Sequence, residues 1–211
     1  MSTRHFKDAP ALQAVLASGN PGKVAELQSL LHGLGIEVSP QSRYQVSSAE
    51  ETGLSFVENA LIKARHCAEQ TRLPAIADDS GLVVDALQGA PGLYSSRYAG
   101  PQAGDRDNLQ KLLTDMAGIP EARRTARFYC VLVFLKYPRD PMPVICEGVW
   151  EGRVLEAPRG EMGFGYDPVF YVPDHGCSAA ELSPKVKNRI SHRGQALARL
   201  VDVLGLRGNR H

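Results

Sequence analysis

Short apolar runs in this chain alternate with polar, glycine-bearing breaks, and the breaks hold most of the reactive side chains. Ala14 to Ala17 is apolar and gives way to Ser18-Gly19-Asn20-Pro21-Gly22-Lys23. Beyond it Val24, Leu27, Leu30, Leu31 and Leu34 recur every three or four residues, the period of one helix face. The pattern predicts a strand, a glycine-containing turn and a helix, then a second strand over Ile36 to Ser39. Gln41 to Gly53 is polar and irregular. Ser55 stands three residues before Glu58, the spacing of a capping box, so a helix is expected from there. Phe56, Ala60, Ala64 and Cys67 line its apolar face, Asn59 and Lys63 share another, and Pro74 ends the unit.

The second half reads as more strand. Ala75-Ile76-Ala77 predicts a buried strand that stops at Asp78-Asp79-Ser80-Gly81, before Leu82-Val83-Val84 resumes. Gly89 to Gly104 is expected to be loop, and Asn108 to Met116 a short amphipathic helix. Arg127 to Tyr137 and Val144 to Leu155 alternate as two long strands of a hairpin around Pro138 to Pro143. A glycine-rich loop, Glu156 to Pro168, precedes a short strand over Val169 to Val172. Ser178 and Glu181 have capping-box spacing. Ser191 caps a last helix with Leu197, Leu200, Val201 and Leu204 on its core face, Gly205 just beyond it and a frayed tail, Arg207 to His211. The mixture predicts an α/β protein with a mixed sheet and helices on its faces.

Composition adds bounds. With 43% apolar and 22% charged residues, the 211-residue chain suits one globular domain over residues 1–211. A net charge of +1 supplies no global attraction to nucleic acid or an anionic membrane, so neither is an expected partner. No apolar run approaches a membrane span, and Met1 to Pro10 lacks a signal-peptide core. Cys67, Cys130, Cys146 and Cys177 are far apart, and the histidines have no ligand spacing. The expectation is free thiols in a reducing cytoplasm, without zinc.

Six segments carry candidate chemistry. The Ser18–Lys23 turn would present free amides and a positive helix start to a phosphate, with Lys23 adding a full charge. It is not a Walker A loop, since Val24 follows the lysine. Asp78 and Asp79 would repel one another if buried and unpaired, and a hard cation such as Mg²⁺ relieves that. Strand alternation sends the two side chains apart, so one is expected to face a ligand. The alternative is that Asp-Ser-Gly is ordinary turn chemistry. Glu50-Glu51 is either a solvated acidic pair or a second donor to the same metal. Lys63 is either surface charge or a phosphate ligand. In Phe164-Gly165-Tyr166-Asp167 glycine permits close backbone approach and the rings offer a stacking surface. Lys187 precedes Ser191-His192-Arg193, where a Ser191 cap would put His192 and Arg193 in a first helical turn that disfavours basic residues; either an anionic or carbonyl-bearing ligand offsets this broken local rule or the basic residues are simply solvated.

Taken in order, these stretches resemble the inosine triphosphate pyrophosphatase family, the dITP/XTP pyrophosphatases. The matching residues are Ser18 to Lys23, Glu51-Thr52-Gly53, Phe56 to Ala60, Lys63-Ala64, Ala77 to Leu82, Gly89 to Gly92, Tyr94-Ser95 and Arg97. Gly163 to Pro168, Ala180-Glu181-Leu182 and Ser191-His192-Arg193 complete the set, covering about Ala14 to Leu204. The resemblance implies an elongated mixed sheet with two lobes and a central nucleotide cleft, in a homodimer. It implies Mg-assisted hydrolysis of ITP, dITP and XTP to the monophosphate and pyrophosphate, which clears deaminated purines from the nucleotide pool. By the same resemblance Asp79 accepts the proton of the attacking water. Asp79 and Glu50, with Glu51 as the alternative, hold the metal. Ser18, Gly19, Asn20, Pro21, Gly22, Lys23, Lys63 and Ser80 belong to the nucleotide site, and so do Phe164, Gly165, Tyr166 and Asp167. Lys187, His192 and Arg193 would donate to a 6-keto purine, with Phe164 stacked on the base. Asp78 is expected to hold the turn.

Overall fold

In the computed structural model, residues 13–32 and 36–205 are described. The opening Met1–Pro10 stretch, Leu34 of the first helix pattern and the Arg207–His211 tail lie outside them. Strands β1 (Gln13–Leu16), β2 (Glu37–Pro40), β3 (Ala75–Val84), β4 (Thr125–Leu135), β5 (Val144–Val154), β6 (Phe170–Val172) and β7 (Cys177–Ser178) form one sheet. Their order is β2-β1-β3-β4-β5-β6-β7. β1 is parallel to both its neighbours, and every other pairing is antiparallel, so the sheet is mixed as expected. The parallel part requires crossovers, which helices α1 (Pro21–His32) and α2 (Phe56–Thr71) supply. Helices α3 (Asp105–Asp115), α4 (Pro184–Ile190) and α5 (His192–Val203) complete the fold.

Strand alternation decides which helix each residue meets. Ala14, Leu16 and Ile76 pack with Leu27 and Leu31 of α1 and with Leu197 and Leu200 of α5. Val15, Ala17, Ala75 and Ala77 pack on the opposite face against Ala60, Ala64 and Ala68 of α2. A third cluster, with Leu82, Phe128, Trp150 and Phe170, fills the antiparallel half. On β5 every second residue from Cys146 to Val154 is buried or turned inward, and the intervening ones are exposed. Gly148 lies on that inner face because a Cβ there would run into the carbonyl oxygen of His192 at the start of α5.

The largest departure from expectation is β3. It does not stop at Asp78: ten residues, including Asp78-Asp79-Ser80-Gly81, pair without a break against β4, with Asp78 opposite Leu132 and Asp79 opposite Val131. Asp78 therefore holds no turn. Gly81 is needed instead for close approach, since a Cβ there would collide with the Gly92 carbonyl oxygen. Gly89 to Gly104 contains a 3-10 turn over Gly92–Arg97. α3 starts at Asp105, earlier than the apolar pattern indicates, with Asp107 accepting from the Gly104 amide. Val169 ends a 3-10 turn, and the Ser178–Glu181 capping box, in which the Glu181 carboxylate accepts the Ser178 amide, opens another over Ala179–Glu181. α4 was not expected, although Ser183-Pro184 is a start signal: the Ser183 hydroxyl caps Val186 and proline occupies the first position.

Candidate functional site

The carboxyl end of β1 opens into the Ser18–Lys23 turn beside the middle of β3, where the strand order places the last parallel pair. In open α/β sheets the crevice past such strand ends is where ligands bind. Asn20 starts α1, its side-chain oxygen accepting the Lys23 amide at 3.0 Å, while the Ser18 hydroxyl accepts the Asn20 amide at 3.3 Å. Pro21 sits at the first helical position, where its missing N–H costs nothing. These bonds fix the turn and leave Lys23 leaning over β3.

Alternation along β3 then separates the two aspartates. Asp78 shares the face of Ile76 and is fully buried toward α1 and α5. Lys23 Nζ lies 3.2 Å from its Oδ2, and Arg193 Nε lies 3.6 Å from the same oxygen. Burial alone would raise the Asp78 pKa, but Lys23, Arg193 and Lys63 together hold it well below the usual carboxylate range. Arg193 is itself buried, with Glu26 as its salt-bridge partner and Ser80 Oγ at 3.0 Å. Asp79 shares the face of Ala77, toward α2. Its Oδ1 accepts from Lys63 Nζ at 2.8 Å, and Lys63 also lies 3.2 Å from Glu51 Oε1. Burial raises the Asp79 pKa despite Lys63 and Lys23. Burial works against the charge of Lys63, yet Asp78, Asp79 and Glu51 hold its pKa above the ordinary value.

The strap carrying Glu51 is pinned by α2. Buried Asn59 accepts the Gly53 amide at 2.8 Å, and the Glu58 carboxylate accepts the Leu54 amide at 2.9 Å. Asn59, read from sequence as sharing a polar face with Lys63, thus fixes the acidic strap instead of pointing to a ligand. Glu50 is exposed and does not line the cavity, whereas Glu51 does. Of the two acids weighed, the geometry brings Glu51 and not Glu50 beside Asp79.

The other end of the crevice is built by the Gly163–Asp167 loop, α4 and α5. Lys187 Nζ lies 2.5 Å from Asp167 Oδ2, and the same carboxylate accepts the Phe164 amide at 2.9 Å. Burial raises the Asp167 pKa against the pull of Lys187. The Ser191 hydroxyl caps α5 through Gly194 N–H at 3.2 Å, which places His192 and Arg193 in the first turn as the sequence indicates. His192 lies parallel to Phe128, ring centroids 4.8 Å apart, with Nδ1 buried and unpartnered. Burial, then Arg193, Lys187 and Lys23, push its pKa far down, so it is neutral. Phe164 has Lys187 Nζ 5.2 Å from its ring centroid and Arg193 beyond it.

Together these residues line a cavity of about 470 Å³. Ser18, Gly19, Asn20, Pro21, Lys23, Lys63, Asp79 and Ser80 lie at one end. Phe164, Gly165, Tyr166, Asp167, Lys187 and His192 lie at the other, and Arg193 joins the two, within reach of Ser80 and Asp78 as well as the Phe164 ring. Gly22 is not on the wall, although it lies beside the Phe164 ring. Unforeseen wall residues are Ser48, Ser95, Asp105, Asn108 and Phe128. Glu26, the partner of Arg193, lies three residues after Lys23 on the same helix side, a spacing that could have marked it. Phe128 gave no signal, being one of many apolar positions in a long strand. A crowd of cations beside acids at one end and flat rings with donors at the other suits a ligand that is anionic at one end and a planar polar ring at the other.

Comparison with known proteins agrees. Residues 14–203 match the model of the Ham1 family. A dITP/XTP pyrophosphatase of Vibrio parahaemolyticus is 59% identical over 190 residues, covering 90% of this chain and 95% of that protein. A dITP/XTP pyrophosphatase of Escherichia coli is 57% identical over 192 residues, covering 91% and 98%. The structure of a HAM1 protein from Coxiella burnetii superposes with a TM-score of 0.85 at 55% identity, covering 92% of this chain and 98% of that one.

Proposed function

Because this chain belongs to the Ham1 family, we propose that it hydrolyses dITP, ITP and XTP to the monophosphate and pyrophosphate, removing deaminated purines from the nucleotide pool. The observation that carries the reading is Asp79: a buried carboxylate on the cavity wall, with a raised pKa, held by a lysine that it shares with Glu51. A carboxylate whose pKa is raised toward neutrality is a better proton acceptor than a solvated one.

In this reading pyrophosphate is released by water attack at the α-phosphorus. The new bond joins the water oxygen to phosphorus, the bridging P–O bond to the β-phosphate breaks, and the water gives up a proton. Asp79 accepts that proton. Lys23 and the amides of the Ser18–Lys23 turn receive phosphate oxygens, and Lys63 adds a further charge. Neutralising the triphosphate and placing the water are the main tasks of such a site.

Mg²⁺ fits the donor set. Among the described residues no group of three or more His, Cys, Asp or Glu forms a metal cage. Yet Asp79 and Glu51 already converge on one cation, the Lys63 ammonium. One or two carboxylates completed by substrate phosphates is the usual way Mg²⁺ is held. Asp79 and Glu51 would hold it, and when bound it would neutralise charge on the phosphate oxygens.

At the far end Lys187 and Arg193 favour a 6-keto purine over adenine, and the Phe164 ring covers the base. An unpaired buried polar group costs about 1–3 kcal/mol, enough for roughly ten- to hundredfold discrimination per contact. The four unpaired thiols suit a reducing cytoplasm. A homodimer that binds free nucleotides, with no nucleic-acid or membrane partner, completes the reading.

The test is a nucleotide panel with and without Mg²⁺, with pyrophosphate and orthophosphate assayed separately. Pyrophosphate from ITP and XTP, little from ATP and none without metal is the expected result. Orthophosphate as the first product, or no turnover of any purine triphosphate, would contradict the proposal.

A further inference from the structure

The turn after β3 and the first residue of α3 each hold the aromatic loop, at two points for which the reaction has no use. The Tyr166 hydroxyl donates to the Ser95 carbonyl oxygen at 2.8 Å. The Gly165 amide donates to Asp105 Oδ2 at 2.8 Å, although the two residues are 60 positions apart in the chain. Asp105 is the first residue of α3 and lies on the cavity wall beside Gly165. Its mount is firm. One turn on, buried Asn108 accepts the Ala99 amide and donates to the Ser96 carbonyl oxygen, tying α3 to the preceding turn. That turn is in contact with β3: Ser95 Oγ accepts the Leu82 amide and donates to Gly92 O.

Two neighbouring loop amides are therefore held by carboxylates from different elements. The Phe164 amide is taken by Asp167 within the loop itself, and the Gly165 amide by Asp105 at the start of α3. Only the second fixes the loop against a separate part of the fold. An ionised acceptor makes such a bond stronger than a neutral one would. Phe164 immediately precedes Gly165, so the position of that amide decides how far the ring stands across the cavity.

We propose that Asp105 is a positioning residue for the purine: acting through the Gly165 amide, it sets the placement of Phe164 and so the affinity for the base. It touches neither the phosphates nor the water. The inference rests on the nucleotide-hydrolysis reading above, and the experiment keeps the two apart.

Wild type, Asp105→Ala and Asp105→Asn are compared in four ways: ITP turnover, calorimetric binding of inosine monophosphate, calorimetric binding of inorganic tripolyphosphate, and melting temperature. Loss of one charge-assisted bond should weaken monophosphate binding and raise KM for ITP about five- to thirtyfold in Asp105→Ala. Its kcat and its affinity for tripolyphosphate should stay at the wild-type level. Asp105→Asn, whose amide oxygen can still accept from Gly165, should recover most of the loss. Unchanged monophosphate binding in the alanine variant would overturn the inference. So would an equal loss toward tripolyphosphate, which would mark a general structural role, or an asparagine variant as impaired as alanine. Failure of the wild type to hydrolyse ITP or XTP would count against the function itself and is read from the wild-type measurements alone.

Discussion

Each end of the cavity pairs a buried aspartate with a lysine, and the two pairs are built for different work. At the acidic end Asp79 shares Lys63 with Glu51, and all three face the cavity. At the base end Asp167 binds Lys187 and also takes the Phe164 amide, so its carboxylate is spent on holding its own loop. Burial raises the pKa of both acids. A raised pKa is thus a poor guide to function by itself; what distinguishes Asp79 is that its lysine is divided between two acids.

Breaking each pair should separate chemistry from architecture. Asp79→Asn should lower kcat by ~10²–10⁴-fold, the usual contribution of a general base, with the thermal midpoint retained. Asp167→Asn should act mainly through KM for the nucleotide, since its bonds orient the loop. If instead turnover in Asp79→Asn stayed near normal, the assignment of the base would fall.

The neighbouring strand position should give the next largest effect, on stability. Asp78→Ala leaves the buried Arg193 and the largely buried Lys23 without their shared acceptor, and loss of one partner of a buried pair costs about 3–5 kcal/mol. Chemical denaturation measures it. The sign with pH is fixed by the lowered Asp78 pKa: its contribution is present above the unfolded carboxylate value of ~4 and is lost as pH falls toward the folded value. The alanine variant should lack that part of the acid dependence.

A smaller contrast concerns the two glutamates. Glu51→Gln should weaken the apparent Mg²⁺ affinity at least about tenfold, by analogy with losses around other metal sites, while Glu50→Gln should leave it unchanged. Equal effects would return both acids to the metal. Smallest is a shift in the pH profile. Asp79 must be ionised to accept a proton, so kcat/KM should rise with pH through a value above the ordinary ~4 of an aspartate. Neutral His192 should add no limb near its usual range.

How much of this was legible in the sequence depends on how local the cause is. The Ser55, Ser183 and Ser191 caps are short-range hydrogen bonds, and the first and last were read directly. Helix and strand periods gave the mixed sheet. Asp78-Asp79-Ser80-Gly81 misled because an acidic, glycine-bearing stretch is normally a turn. It is strand here because its counter-charges arrive from Lys23 and Arg193, far away along the chain, and because Gly92 needs the space above Gly81. The choice of Glu51 over Glu50 depends on bonds from Asn59 and Glu58 to the strap, which spacing alone does not reveal. Asp105 carries no local signature at all; its partner lies sixty residues on.

The most direct test of the central claim is the fate of the attacking oxygen. Hydrolysis of ITP in heavy-oxygen water should place the label in inosine monophosphate and none in pyrophosphate, as attack at the α-phosphorus requires. Label in pyrophosphate, or in released orthophosphate, would contradict the account of how this cavity works.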